Sequence, residues 1–125
     1  MTDWREQEVQ NETQSREINE WIQQSNDARA AGPTNPFICE CSDEACASTI
    51  SLTRIEYEEV RAYGTHFAIA LDHESPDLDL LVSERTGFSI VRKLPGFPAR
   101  LATASDPRRP KARPTVTSPQ QRRRE

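Results

Sequence analysis

Three thiols and an imidazole give this sequence its clearest chemistry. Cys39, Cys41 and Cys46 fall within eight residues of one another. In extended backbone, residues two apart project to the same side, so Cys39 and Cys41 point together across Glu40. A turn through Ser42-Asp43-Glu44-Ala45 returns Cys46 opposite them. Three converging thiolates form a soft donor set one short of the four that zinc takes. The chain holds two histidines. His73 lies in a loop beside Pro76 and can be steered into a site, whereas His66 opens the strand before it and is the alternative. The expected ligand set is Cys39, Cys41, Cys46 and His73 around Zn2+. An odd number of cysteines on one hairpin argues against a disulfide framework. The competing account, three thiols in a hairpin core, fits poorly with the interleaved Glu40, Asp43 and Glu44.

Four protein donors close the zinc coordination sphere and leave no position for water or substrate, so the site reads as structural. A body of about 60 residues has little core to rely on, and structural zinc contributes on the order of 10 kcal/mol of binding free energy to folding. Enzyme chemistry would require Glu40 or Glu74 as a base at an open metal, or thiol redox. The sequence lacks His-Glu-x-x-His, His-x-Glu with a later Pro-Cys-x-x-Cys, a Gly-rich phosphate loop, Gly-x-Ser-x-Gly and Cys-x-x-Cys. The expectation is a non-enzymatic module.

The elements that must position these donors are legible in part. From Asp3 to about Ala31 there is no Pro or Gly; Asp3 with Glu6 reads as a cap and Gly32-Pro33 as a stop, giving a long helix within 1–32. At 100° per residue Trp4, Ile18, Trp21 and Ile22 share a face whose middle is polar at Gln7, Asn11 and Gln14, with Val9 opposite. Ile18, Trp21 and Ile22 are expected to pack on the body or on a second copy of the helix, Trp21 as a core anchor. Sustained heptads are absent.

Residues 36–94 carry short apolar runs separated by turn signals. Phe37-Ile38-Cys39 and Thr49-Ile50-Ser51-Leu52 read as a hairpin with a cysteine-rich tip. Thr53-Arg54-Ile55-Glu56 is a capping box, stapled by Leu52 and Tyr57, so a helix runs from 54 to about 63 and ends near Gly64. It buries Val60 with Ile55 or Tyr57. Residues 66–71 read as a strand with Phe67, Ile69 and Leu71 on one face, and 78–83 with 88–93 as a hairpin. The order α, β, β, α, β, β, β predicts a small α+β fold on a mostly antiparallel sheet.

The formal net charge of −4 averages two opposite segments. Residues 1–100 hold nine Lys and Arg against eighteen Asp and Glu, whereas 101–125 hold seven cations against two carboxylates. Residues 99–125 have almost no apolar side chains to bury and read as a disordered basic tail. Candidate partner contacts are Trp4, Trp21, Arg54 and Arg61, with Arg122, Arg123 and Arg124 of the tail. The expected partners are an unidentified protein, a second copy through the N-terminal helix, or nucleic acid through the tail. No stretch is apolar enough to span a membrane and no secretory signal opens the chain, so the expectation is a cytoplasmic protein.

The 36–93 region resembles small uncharacterised proteins, mainly actinobacterial, with Phe-x-Cys-x-Cys, a third Cys after four residues, a Leu-Thr-x-x-Glu-Tyr helix start and a downstream Gly-His-Glu. Phe37, Cys39, Cys41, Cys46, Leu52-Thr53, Glu56-Tyr57 and His73-Glu74 carry the likeness. It implies a zinc-like site using His73. Asp72 stands where the pattern has Gly.

Overall fold

A computed structural model of the chain describes residues 4–29, 34–43 and 45–108. The chain begins with α1 (Trp4–Arg29), followed by the strands β1 (Asn35–Ile38) and β2 (Thr49–Leu52), then α2 (Arg54–Arg61). Next come β3 (His66–Ile69), β4 (Asp79–Glu84) and β5 (Ser89–Lys93), and last α3 (Phe97–Ala104). The fold is α+β, as the order of apolar runs predicts.

The strands form two antiparallel sheets where one was expected: a β1-β2 ribbon and a three-stranded sheet in the order β3-β5-β4. Glu40 explains the separation. Its backbone N–H donates to the carbonyl of Ala68 in β3 (2.9 Å), but the return bond, from Ala68 N–H, goes to the Glu40 carboxylate (2.9 Å). A side chain thus replaces the ladder that would have merged the sheets.

The capping box at Thr53 forms as expected: the Thr53 hydroxyl accepts from Glu56 N–H at 2.9 Å and the Glu56 carboxylate accepts from Thr53 N–H at 2.8 Å. α2 then turns Tyr57 and Val60 inward, while Ile55 is exposed. Tyr57 stacks on Phe37 at 4.6 Å between ring centroids, within a core that includes Ile50, Leu52, Ala68, Phe88 and Ile90. On the other side of β3 and β5, Phe67, Ile69 and Val91 pack with Ala102 of α3 and with Cys39 and Cys41.

α1 docks by the face that composition would have left in water. Val9, Glu12, Thr13, Arg16, Asn19, Glu20 and Gln23 are buried, at the i, i+3, i+4, i+7 spacing of a helical stripe. Trp21 is 68% exposed, Trp4 52% and Ile18 51%, so the anticipated Trp21 core anchor is corrected; Ile22 alone of that expected set packs against the core. Most of the inward polar side chains are matched, while Glu12 Oε2, Arg16 Nε and Gln23 Oε1 have no hydrogen-bond partner among the described residues. Arg16 donates to the carbonyls of Gly64 (2.6 Å) and Ala102 (2.8 Å) and lies 4.6 Å from the centroid of the Phe67 ring. Gln23 donates to the carbonyl of Arg54 and to the Glu58 carboxylate. Buried polar groups are tolerated when hydrogen-bonded, and a stripe of them replaces the usual apolar seam.

Two further expectations change. Arg61, expected as a partner contact, is buried: its Nε lies 3.2 Å from Glu20 of α1 and its Nη2 pairs with Asp106. The stretch from 99 does not begin a disordered tail, because α3 occupies Phe97–Ala104. Gly96 supplies a positive φ of 98° ahead of it, and Pro98 sits in the first turn where no N–H donor is needed. Beyond α3, Arg108 forks onto both oxygens of Glu20 (2.6 and 2.8 Å) and both of Glu58 (2.8 Å each). Arg122, Arg123 and Arg124 lie outside the described residues. Arg54 is exposed on the first turn of α2.

Candidate metal centre

All three cysteines lie in the connection between β1 and β2, and His73 comes from the loop between β3 and β4, so the four donors join the two sheets. Cys39 N–H donates to the Ser48 carbonyl at 3.0 Å, extending the hairpin by one pair before the chain opens out. The return is set by Asp43: its carbonyl accepts from Cys46 N–H (3.0 Å) and its carboxylate from Ala45 N–H (2.9 Å). That side-chain turn aims Cys46 back toward Cys39 and Cys41.

The donor atoms of Cys39, Cys41, Cys46 and His73 all lie within 4.8 Å of one another. His73 Nδ1 is 3.4 Å from Cys39 Sγ and 3.7 Å from Cys46 Sγ. A tetrahedral zinc with ordinary Zn–S and Zn–N bonds sets sulfur–nitrogen edges of about 3.6 Å and sulfur–sulfur edges of about 3.8 Å. The set therefore closes on an ion with small side-chain adjustments. The cysteines are free thiols.

Main-chain groups surround the sulfurs. Ala70 N–H donates to Cys39 Sγ at 3.1 Å, and the Asp43 and Ser48 backbones bond the Cys41 and Cys46 sulfurs. Such bonds stabilise thiolate charge and orient each donor. Burial pushes the Cys39 and Cys41 thiols up, with those backbone bonds opposing it. At Cys46 burial also acts upward, but hydrogen bonds from Ser48 and the other cysteines together lower it. Two sulfurs are thus held in a dry site where a bare thiolate is unfavourable, and a divalent cation would supply the missing charge.

His73 is brought in by a tight turn in which its N–H donates to the Ala70 carbonyl at 3.2 Å, with Asp72 at φ 67°. That is the left-handed region glycine favours and Asp tolerates better than most side chains. His66 stands elsewhere, its ring 4.6 Å from that of Tyr63, with its pKa lowered by burial and by Arg92.

Glu40 projects away from the thiols. Its carboxylate is fully buried and accepts from Asn19 Nδ2 (2.8 Å), Tyr57 OH (2.9 Å) and Ala68 N–H, tying α1, α2 and β3 together. Burial raises its pKa, opposed by those three bonds. Asn19 and Glu40 support the metal segment from behind, a role not recognised in the sequence. The alternation Cys-Glu-Cys was the available signal, since it sends the middle residue to the opposite side.

No family model, curated protein or solved structure matches the chain.

Proposed function

We propose that this chain is a small, non-enzymatic zinc-binding interaction module: a cytoplasmic adaptor or regulator whose two sheets are clamped by one structural ion. The donor cage carries this reading, because three sulfurs and one imidazole nitrogen within 4.8 Å of one another supply the number and type of donors that a structural zinc takes. Free thiols fit a reducing compartment. Among the described residues no helix is long and apolar enough to cross a membrane. The outer side of α1, where Trp4, Ile18 and Trp21 stand exposed, is the surface we assign to a partner, with a second copy of the helix as its first candidate. Membership of the Phe-x-Cys-x-Cys group belongs to the same proposal, supported by the clustered donors and by the positive φ of Asp72.

Native mass spectrometry of protein expressed without added metal tests it, since ion stoichiometry and subunit number are read together. One zinc per chain is expected, with a cobalt-substituted sample giving the absorption of a four-coordinate sulfur-rich site. A metal-free protein of unchanged thermal stability, or a cobalt spectrum showing bound water, would overturn it.

A second reading, nucleic-acid binding, draws on the six cations after Arg108. It predicts salt-dependent, sequence-independent affinity for DNA or RNA that vanishes when 109–125 are deleted.

A further inference from the structure

α1 grips the metal-bearing segment at two points. Asn11 Nδ2 donates to the carbonyl of Ser42, one residue past Cys41, at 2.9 Å. Two turns along the same helix, Asn19 engages both backbone groups of Ile38, the residue before Cys39: it donates to the carbonyl at 2.8 Å and accepts from the N–H at 2.9 Å. Its Nδ2 also donates to Glu40, between the two thiols.

The spacing matters. Asn11 and Asn19 are separated by about 12 Å of helix rise, and residues 38 and 42 span about 13 Å only if the chain between them is extended. Extended backbone is also what presents Cys39 and Cys41 to one side. The ion and the helix therefore select the same conformation of one short segment, from its opposite faces.

We infer that metal binding and α1 docking are thermodynamically linked, making α1 a latch that loosens when the metal leaves. This rests on the zinc reading above. A seam of directional polar contacts suits release, because each hydrogen bond needs its partner in place, whereas an apolar stripe would tolerate displacement. Undocking would uncover Lys93 and Arg61, which α1 covers with Glu12 and Glu20. Linkage is reciprocal: the factor by which bound metal strengthens docking is the factor by which docking strengthens metal binding.

Amide hydrogen exchange on the full chain, with and without chelator, tests this. Removal of zinc, verified by native mass spectrometry, is expected to speed exchange across residues 9–23 by about tenfold or more, and by more than in β3 and β5, whose protection falls only with overall stability. Asn19→Ala and the milder Asn11→Ala are each expected to speed α1 exchange in the zinc-loaded protein and to lower zinc affinity correspondingly. Glu17→Gln, exposed on the same helix and outside the surface formed by Trp4, Ile18 and Trp21, should change neither. Unchanged α1 exchange on verified zinc removal, equal loss of protection in α1 and both strands, or wild-type zinc affinity in both Asn variants would overturn the linkage. A chain that binds no zinc at all would overturn the functional reading along with it.

Discussion

The Lys93 ammonium lies 2.5 Å from a carboxylate oxygen of Glu12, with both side chains fully out of solvent. Lys93 also pairs with Asp79, so one cation serves two buried carboxyl groups. Burial pushes Glu12 up to about 8, with Lys93 acting against it and Asp79 with it. Folded protein therefore holds a proton on Glu12 that the unfolded chain, near 4.5, releases. This group's contribution to stability falls as pH rises from about 4.5 toward about 8. Glu12→Gln should flatten that part of the profile and be more stable than the parent at pH 8, as measured by thermal melts of zinc-loaded protein across pH 6–9. A steeper profile, or a less stable variant at pH 8, would show that the carboxylate is charged in the fold.

Arg61 is a structural cation in this arrangement. Arg61→Ala leaves Glu20 and Asp106 with a lost partner in a buried setting, and breaking such a network costs about 3 kcal/mol. Urea unfolding should register a loss of that order. A change within about 0.5 kcal/mol would instead place Arg61 at the surface.

Trp21 should behave in the opposite way. At 68% exposure, its replacement by Ala is expected to alter stability by less than about 0.5 kcal/mol. If the outer side of α1 joins two copies, the same variant shifts sedimentation from dimer to monomer. A dimer insensitive to Trp21→Ala would move the interface elsewhere.

The loop that delivers His73 depends on backbone conformation at Asp72. Asp72→Gly should retain zinc affinity, because Gly adopts a φ of 67° without steric cost. Asp72→Val should cost about 1 to 2 kcal/mol and weaken zinc binding, since a β-branched side chain resists that region. Competition with a chromogenic chelator reads both variants. Equal affinity for Gly and Val would mean that the turn does not position the imidazole.

The sequence exposed the features whose signals are local. Cys39, Cys41 and Cys46 were readable from alternation and turn residues, and the Thr53–Glu56 box from two hydrogen bonds three residues apart. A steerable loop favours His73 over His66, and the structure places the His73 ring against the sulfurs. Long-range polar matching was the part that could not be read. The inward face of α1 is defined by groups on other elements: Arg16 needs the carbonyls of Gly64 and Ala102, and Asn19 needs Ile38 and Glu40. Periodicity weighs side chains by apolarity and so turned Trp21 inward and those residues outward. α3 escaped because Gly96 and Pro98 look like breakers, yet both are acceptable at a helix start.

The alternation Cys39-Glu40-Cys41 leaves the ribbon intolerant of a frame slip. Its two sides demand incompatible chemistry: one offers soft ligands to a cation, the other a carboxyl group cradled by an amide, a phenol and a peptide N–H. Deleting or inserting a single residue between Phe37 and Cys39 would seat the carboxylate among the remaining donors and strand sulfur where Tyr57 and Asn19 await an acceptor. Length variation should therefore be confined to the tip beyond Cys41, making this strand end a fixed ruler for the whole fold.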